Sequence, residues 1–286
     1  MMELLSPAGG YEALVAAVQS GADAVYLGGR MHNARMNAHN FDDEAMRRTV
    51  EYCHERGVRV YVTLNTLLYD RELEETARYA AFLQECGVDA LIVADPGLCR
   101  LLHEALPDME LHASTQMALH TLSGVEEAAR LGMTRAVLAR ELSGEEIREI
   151  AERAPIEIET FAHGALCMCY SGQCYLSAAI GGRSGNRGLC AQPCRMAYSF
   201  PGEGMEHPLS LKDLSLAEHL SQLEQAGVHT LKIEGRMKTA LYVATVARTY
   251  RKAIDDYLED PAKYQANMSW YQEQIAGCTY RKFTTG

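Results

Sequence analysis

The sequence predicts an α/β protein: a closed (β/α)8 barrel of the TIM type with a cysteine-rich insert after its seventh strand. Three observations carry that expectation. Eight short apolar or β-branched stretches alternate with amphipathic ones along the 286 residues, the pattern of parallel strands joined by right-handed crossovers. Five of the amphipathic stretches stop on variants of one phrase: SGADAV, RGVRVY, CGVDAL, LGMTRA and AGVHTL. In each, a glycine takes the left-handed position just past the helix and the next strand starts at once. The length suits a barrel of about 250 residues. An open doubly wound sheet would instead carry GxGxxG after its first strand, and none is there.

Taken in order, the strands are expected at residues 3–6, 24–28, 59–65, 90–95, 110–114, 136–140, 156–163 and, beyond the insert, 230–234. Between them, residues 11–20 put Leu14, Val15 and Val18 on one helical face, and residues 72–85 do the same with Leu73, Ala77, Ala80 and Leu83. Residues 164–200 leave this rhythm and form the insert. A small excursion, SFPGEGMEHPLS, returns from it, and SLKDLS is expected to cap a helix at 216–226. A long helix at 239–257, with Leu241, Val243, Ala247 and Tyr250 for packing, is stopped by Asp260 and Pro261. The tail through Trp270 reads as a covering helix followed by an extended end. The whole is one domain, 1–286, and its abrupt end predicts truncation from a longer chain.

Hydrophobic residues at 48% and charged ones at 23% are those of an ordinary globular protein. The formal charge of −11 argues against a generic nucleic-acid binder, which needs clustered Lys and Arg, though a local basic site on an acidic body is compatible with it. No apolar run approaches the ~20 residues of a spanning helix, and MMELLSPAGG lacks the basic start and apolar core of a secretory signal. A cytoplasmic protein without a membrane partner is expected. In a reducing compartment, clustered cysteines are metal ligands or catalytic thiols before they are disulfides.

The stretch from Glu159 to Arg195 holds five of the nine cysteines: Cys167, Cys169, Cys174, Cys190 and Cys194. Four thiolates suit zinc or an iron–sulfur cluster, and the spacing alone does not choose between them. The surrounding Gly, Ser and Arg would offer backbone N–H groups and cations to an anionic cluster. Cys53, Cys86, Cys99 and Cys278 are scattered and read as small buried hydrophobes. Function in a barrel gathers at the C-terminal ends of the strands. The polar residues falling there are Ser6, Asn65, Asp95, His112, Ser114, Gln116, Arg140, Glu141, His163, Lys232, Glu234 and Arg236.

Glu159-x-Phe161-x-x-Gly164-Ala165-Leu166-Cys167, followed by Gly172-x-Cys174-x-Leu176-Ser177, resembles the signature of peptidase family U32, the collagenase-like proteins. The likeness extends through ELLSPAG at 3–9, GADAVYLGG at 21–29, LHASTQ at 111–116 and LKIEGR at 231–236, so it covers nearly the whole chain. NARMNAHNF at 33–41, VTLNTLL at 62–68 and GRSGNRGLCAQPCR at 182–195 look closest to the branch that hydroxylates RNA, forming 5-hydroxycytidine in 23S rRNA or 5-hydroxyuridine in tRNA. That resemblance implies a 4Fe-4S cluster held by Cys167, Cys174, Cys190 and Cys194, and prephenate as co-substrate. Zinc is the alternative occupant. Cys169 stands where relatives carry a small residue and is left as a spare thiol. In a quinone-related branch one ligand lies downstream, where this chain has Ser215. Members of the RNA branch often continue beyond the point where this chain stops.

An RNA pyrimidine hydroxylase would bind its substrate across the barrel mouth through Arg35, Asn65, Gln116, Arg183, Arg187, Lys232 and Arg236, because arginine reads phosphate and carboxylate bidentately. The groups available for chemistry are His163, Glu234, His112 and Glu159. A peptidase is the alternative, with His163 acting beside Glu159, Glu234 or a cysteine, but neither HExxH nor GxSxG is present. A non-catalytic iron–sulfur partner is the third reading, against which the convergent polar strand ends argue. Glu234 also has a plain reading as a buried ion pair with Arg236 or Lys232.

Overall fold

The computed structural model describes every residue except 1, 37, 200, 203, 280 and 286, so Phe200 and Glu203 of the predicted excursion lie outside the described residues. The strands, in chain order, are β1 (Glu3–Pro7), β2 (Ala24–Gly28), β3 (Arg59–Leu64), β4 (Ala90–Val93), β5 (Glu110–Ala113), β6 (Arg135–Val137) and β7 (Glu157–Ala165). After the insert come β8 (Tyr198–Ser199), β9 (Met205–Glu206), β10 (Asp213–Ser215), β11 (Thr230–Ile233) and β12 (Phe283–Thr284). β1 to β7 pair in parallel in sequence order, and β11 closes the ring by pairing with both β1 and β7. All eight predicted strands are the barrel strands, shifted by no more than a few residues at their ends.

The barrel helices are α1 (Tyr11–Gln19), α2 (Asp43–His54), α3 (Asp70–Glu85), α4 (Pro96–Ala105), α5 (Leu122–Arg130) and α6 (Gly144–Ala151). The insert contributes the short α7 (Leu176–Gly181), and α8 (Leu220–Gln225) leads into β11. Gly21, Gly57, Gly87, Gly132 and Gly227, the glycines of the repeated phrase, all have φ between +70° and +88°, which an L side chain takes only with strain. Asp42, Asp95, Ser143 and Thr239 accept the N–H groups of Ala45, Leu98, Glu146 and Tyr242 at helix starts, each such cap contributing about 1 kcal/mol.

Alternation along the strands divides the interior in two. Leu4, Val25, Leu27, Val60, Val62, Leu91 and Leu111 face outward and are buried with Leu14, Met46, Val50, Leu83 and Leu98 of the helices. Leu5, Ala24, Tyr26, Tyr61, Ala90 and Ile92 face the lumen instead. α9 (Ala240–Glu259) follows β11 and packs on α1, and α10 (Pro261–Ala266) and α11 (Met268–Ala276) pack on α9 in turn. The tail thus holds two helices where one was expected.

SLKDLS does not cap a helix. Asp213–Ser215 forms β10, which pairs antiparallel with the upper end of β7 at Ala165, Gly164 and His163. β7 runs 9 residues against the 4 of β11, so its upper backbone groups need another partner. β7 is also bulged: Lys232 pairs with Phe161 and Ile233 with His163, which leaves Ala162 as the extra residue.

Candidate functional site

The lumen of this barrel holds charged side chains beside its apolar ones. At its lower level Arg135 Nη1 donates to Glu3 Oε1 at 2.6 Å, Arg59 also pairs with Glu3, and Tyr61 OH donates to Glu3 Oε2 at 2.9 Å. One level up, Lys232 Nζ donates to Glu159 Oε1 at 2.7 Å, with Arg135 3.6 Å from the other oxygen. Burial alone would raise the Glu159 pKa, but Lys232 and Arg135 outweigh it and hold the carboxyl below its ordinary value. His112 lies in this layer with its ring against Tyr61, and burial pushes its pKa down.

Above this layer the lumen opens into a cavity of about 40 Å³ at the barrel mouth. Its wall includes Arg35, Arg140, Arg236, Lys232, Glu234 and Gln116. Glu234 Oε1 accepts from Arg35 Nη2 at 3.1 Å. Burial opposes ionisation of Glu234, but Arg35 and then Arg140 prevail and lower its pKa. The predicted alternative pairing of Glu234 with Arg236 or Lys232 is therefore not the one formed: Lys232 is spent on Glu159 and Glu234 on Arg35. Asn65 is fixed by accepting from Ala34 N and donating to Ser114 Oγ.

Arg35, Thr115, Gln116, Arg140 and Glu234 also line a second cavity of about 400 Å³. Cys167, Cys174, Cys190 and Cys194 are on its wall, and Cys169 is not. Gln192 N donates to Cys190 Sγ at 3.4 Å and Ser177 Oγ lies 3.8 Å from the same sulfur. Among the described residues no three His, Cys, Asp or Glu side chains stand in a ready-made metal-holding group; the four thiols share a wall without converging. The donor set nevertheless fits a thiolate-bound group in type and surroundings, since the four sulfurs open on one cavity, a backbone N–H and a hydroxyl point at one of them, and Arg195 lies beside Cys194. Ser215 lies away from this wall, paired with His163 across β10 and β7.

A third cavity of about 220 Å³ adjoins the other two through Asn65, Gln116, Gly172 and Asn186. Among the described residues no charged side chain lines it. Its polar groups are the amides of Asn65, Gln116, Gln173 and Asn186, with the ring of Tyr175, 65% exposed, at its edge.

Of the predicted residues, Arg35, Asn65, Gln116, Lys232, Glu234 and Arg236 come together at the mouth. Glu159 and His112 do not reach it; they belong to the layer below. His163 is outside the lumen altogether. The bulge at Ala162 breaks the alternation that would have placed it beside Glu159 and Phe161, and its ring packs between Tyr242, Tyr250 and Phe283. Arg187 ties the insert to α3 through Glu72, at 2.6 Å, and Arg183 donates to Leu189 O on the exposed surface; neither lines any of these three cavities. Asp95 caps α4. Sequence reasoning missed Tyr26, Thr63, Thr115 and Phe161 in the mouth. Tyr26 and Phe161 sit at inward positions of their strands and were legible by alternation.

The family described as peptidase family U32 matches this chain over residues 9–286. tRNA hydroxylation protein P1 of Bacillus subtilis (strain 168) is 40% identical, over 99% of this chain and 70% of its own length. The 23S rRNA 5-hydroxycytidine C2501 synthase of Escherichia coli (strain K12) is 43% identical, over 91% of this chain but only 40% of its own length. Among solved structures, the U32 peptidase Mk0906 aligns with a TM-score of 0.56 at 17% identity, over 82% of this chain and 94% of that chain, a likeness of fold.

Proposed function

The chain belongs to peptidase family U32, and we propose that it is an RNA-modifying hydroxylase that acts on C5 of a pyrimidine, giving 5-hydroxycytidine in rRNA or 5-hydroxyuridine in tRNA. The observation that carries this reading is the division of one opening into a neutral amide-lined cavity, a thiol-lined cavity and a cationic floor, which meet at Gln116. A pyrimidine presents hydrogen-bond donors and acceptors but no charge, so uncharged amides suit its edge, and an exposed tyrosine ring suits its face. Gln116, Gln173 and Asn186 would read that edge, and Tyr175 would stack on the base once it leaves its own stack. Arg195, Lys238 and Arg281 on the wall of the larger cavity supply cations for the flanking phosphates. The acidic body then confines binding to this face.

An iron–sulfur cluster of the 4Fe-4S type, bound by Cys167, Cys174, Cys190 and Cys194, would supply the electron transfer that side chains lack; zinc in the same thiols would be structural. Glu234, held ionised by Arg35 and Arg140, is the one carboxylate lining these three cavities among the described residues. It keeps a fixed negative charge beside Gln116 and the reacting edge. Prephenate, a small organic acid, enters this reading as co-substrate on the family resemblance.

Peptide hydrolysis draws less support from the geometry. His163 packs outside the barrel, and no cysteine or serine of the three cavities is hydrogen-bonded to an imidazole among the described residues. The test is a nucleoside digest of rRNA and tRNA from cells lacking the gene. Loss of one 5-hydroxypyrimidine, restored by the wild-type gene but not by Cys174→Ser, is expected; an unchanged profile would refute the reading.

A further inference from the structure

Arg236 is a buried charge with no ion-pair partner among the described residues. It is 3% exposed, and among the described residues neutral oxygens alone hold its guanidinium. Nη1 donates to Thr63 Oγ1 at 3.0 Å, and Nη2 donates to Asn33 Oδ1 at 3.2 Å and Asn40 Oδ1 at 2.5 Å. Nε is buried and has no partner. Burial pushes its pKa down to about 10, so the charge persists at neutral pH. Arg140, on the same wall, donates from Nη1 to Ala165 O at 2.7 Å and stacks on Phe161, and its Nε is likewise buried without a partner. The one carboxylate of this cavity, Glu234, is taken by Arg35.

Keeping an unpaired charge out of water is costly, yet stretches far apart in the chain are shaped around this one. A Cβ on Gly9 would strike the Arg236 carbonyl oxygen, and a Cβ on Gly28 would strike its guanidinium. Asn33 and Asn40 reach it from the loop after β2, Asn40 from a left-handed backbone at φ +50°, and Thr63 from β3. The ELLSPAG, GADAVYLGG, NARMNAHNF, VTLNTLL and LKIEGR stretches therefore meet at one arginine.

We propose that Arg236, with Arg140 and Arg35, forms an oxyanion subsite on the floor of the barrel mouth, which takes a carboxylate or phosphate group of a ligand whose remainder lies in the thiol-lined cavity. The cavity of about 40 Å³ has room for roughly three water-sized positions, the size of such a head group and too small for a base. Guanidinium N–H groups are the donors suited to a planar or tetrahedral oxyanion. The subsite stands on the unmatched charge and holds whether or not RNA is the substrate.

The test is thermal denaturation and titration calorimetry of the full chain at fixed ionic strength, with malonate, inorganic phosphate or a short single-stranded oligoribonucleotide, and chloride as control. A saturable stabilisation beyond that of chloride is expected. Malonate acting without the oligonucleotide assigns the group to a small acid, and phosphate and oligonucleotide acting together assign it to a nucleotide. Arg236→Met should weaken binding on the order of 10- to 100-fold, the loss of a charged hydrogen-bonding partner. Asn33→Asp is an independent second variant: its carboxylate supplies the counter-ion from within, so the protein should stay folded and stop responding to the anion. No response in the wild type, or an undiminished response in either variant, would overturn the proposal.

Discussion

Two charged layers lie one above the other in the barrel lumen, and they are built differently. In the lower one, Glu3, Arg135, Glu159 and Lys232 neutralise each other at 2.6 to 3.6 Å. In the upper one, Arg35, Arg140 and Arg236 face the single carboxylate of Glu234, which among the described residues is paired with Arg35. Both layers hold a buried charge, Glu159 in the lower and Arg236 in the upper, so burial alone does not mark a site. Charge balance does: a layer whose charges are matched holds the barrel together, and a layer with surplus charge is poised to meet something from outside.

The comparison breaks most visibly if a matched charge is removed. Lys232→Met leaves Glu159 buried with only the longer contact to Arg135, and should lower the unfolding free energy by about 3 kcal/mol or more in urea titration. A loss under about 1 kcal/mol would mean that the lower layer is not structural.

His163 sharpens the boundary of the site. Burial pushes its pKa down to about 4, below the ordinary 6.5 of the unfolded chain. The folded state thus binds fewer protons, and stability falls as pH drops from about 6.5 toward 4, by on the order of 3 kcal/mol in full. His163→Phe should flatten that acid limb and leave the proposed hydroxylation intact, whereas a catalytic His163 would lose activity along with the limb. At the amide-lined cavity a smaller effect is expected. Gln116→Ala should reduce kcat/KM on the proposed RNA substrate about tenfold, the value of one neutral hydrogen bond, without a change in unfolding midpoint. Smallest is Arg187→Met, which frees the insert from Glu72; it should cost about 1 kcal/mol or less and show as faster hydrogen exchange in the segment around Gly185.

The barrel was legible because its signals are local. Period-two strands, amphipathic helices and five left-handed glycines can each be read within a dozen residues. The strand-end rule brought Asn65, Ser114, Gln116, Arg140, Lys232, Glu234 and Arg236 to one place, since it depends only on strand direction, but it also counted His112, which lies a level below. What stayed hidden was non-local. The bulge at Ala162 turns His163 outward, and it arises from the register between β7 and β11, which neither strand encodes alone. The pairing of Glu159 with Lys232, and of Glu234 with Arg35, rather than either acid with Arg236, depends on which side chains share a level of the lumen. SLKDLS carries helix-capping residues but serves as an edge partner to an over-long β7. The insert was conspicuous by composition, yet the wall its four thiols share follows from the way residues 164–200 fold back over the mouth.

The unmatched charge at the mouth is the central claim, and unfolding of Arg236→Met beside wild type, at low ionic strength and free of oxyanions, tests it most directly. Methionine keeps much of the volume and removes the charge. The midpoint of the variant should equal or exceed that of the wild type, because an uncompensated buried cation has been relieved. A fall of several kcal/mol, like that expected for Lys232→Met, would contradict it and place Arg236 among the matched charges that merely hold the barrel together.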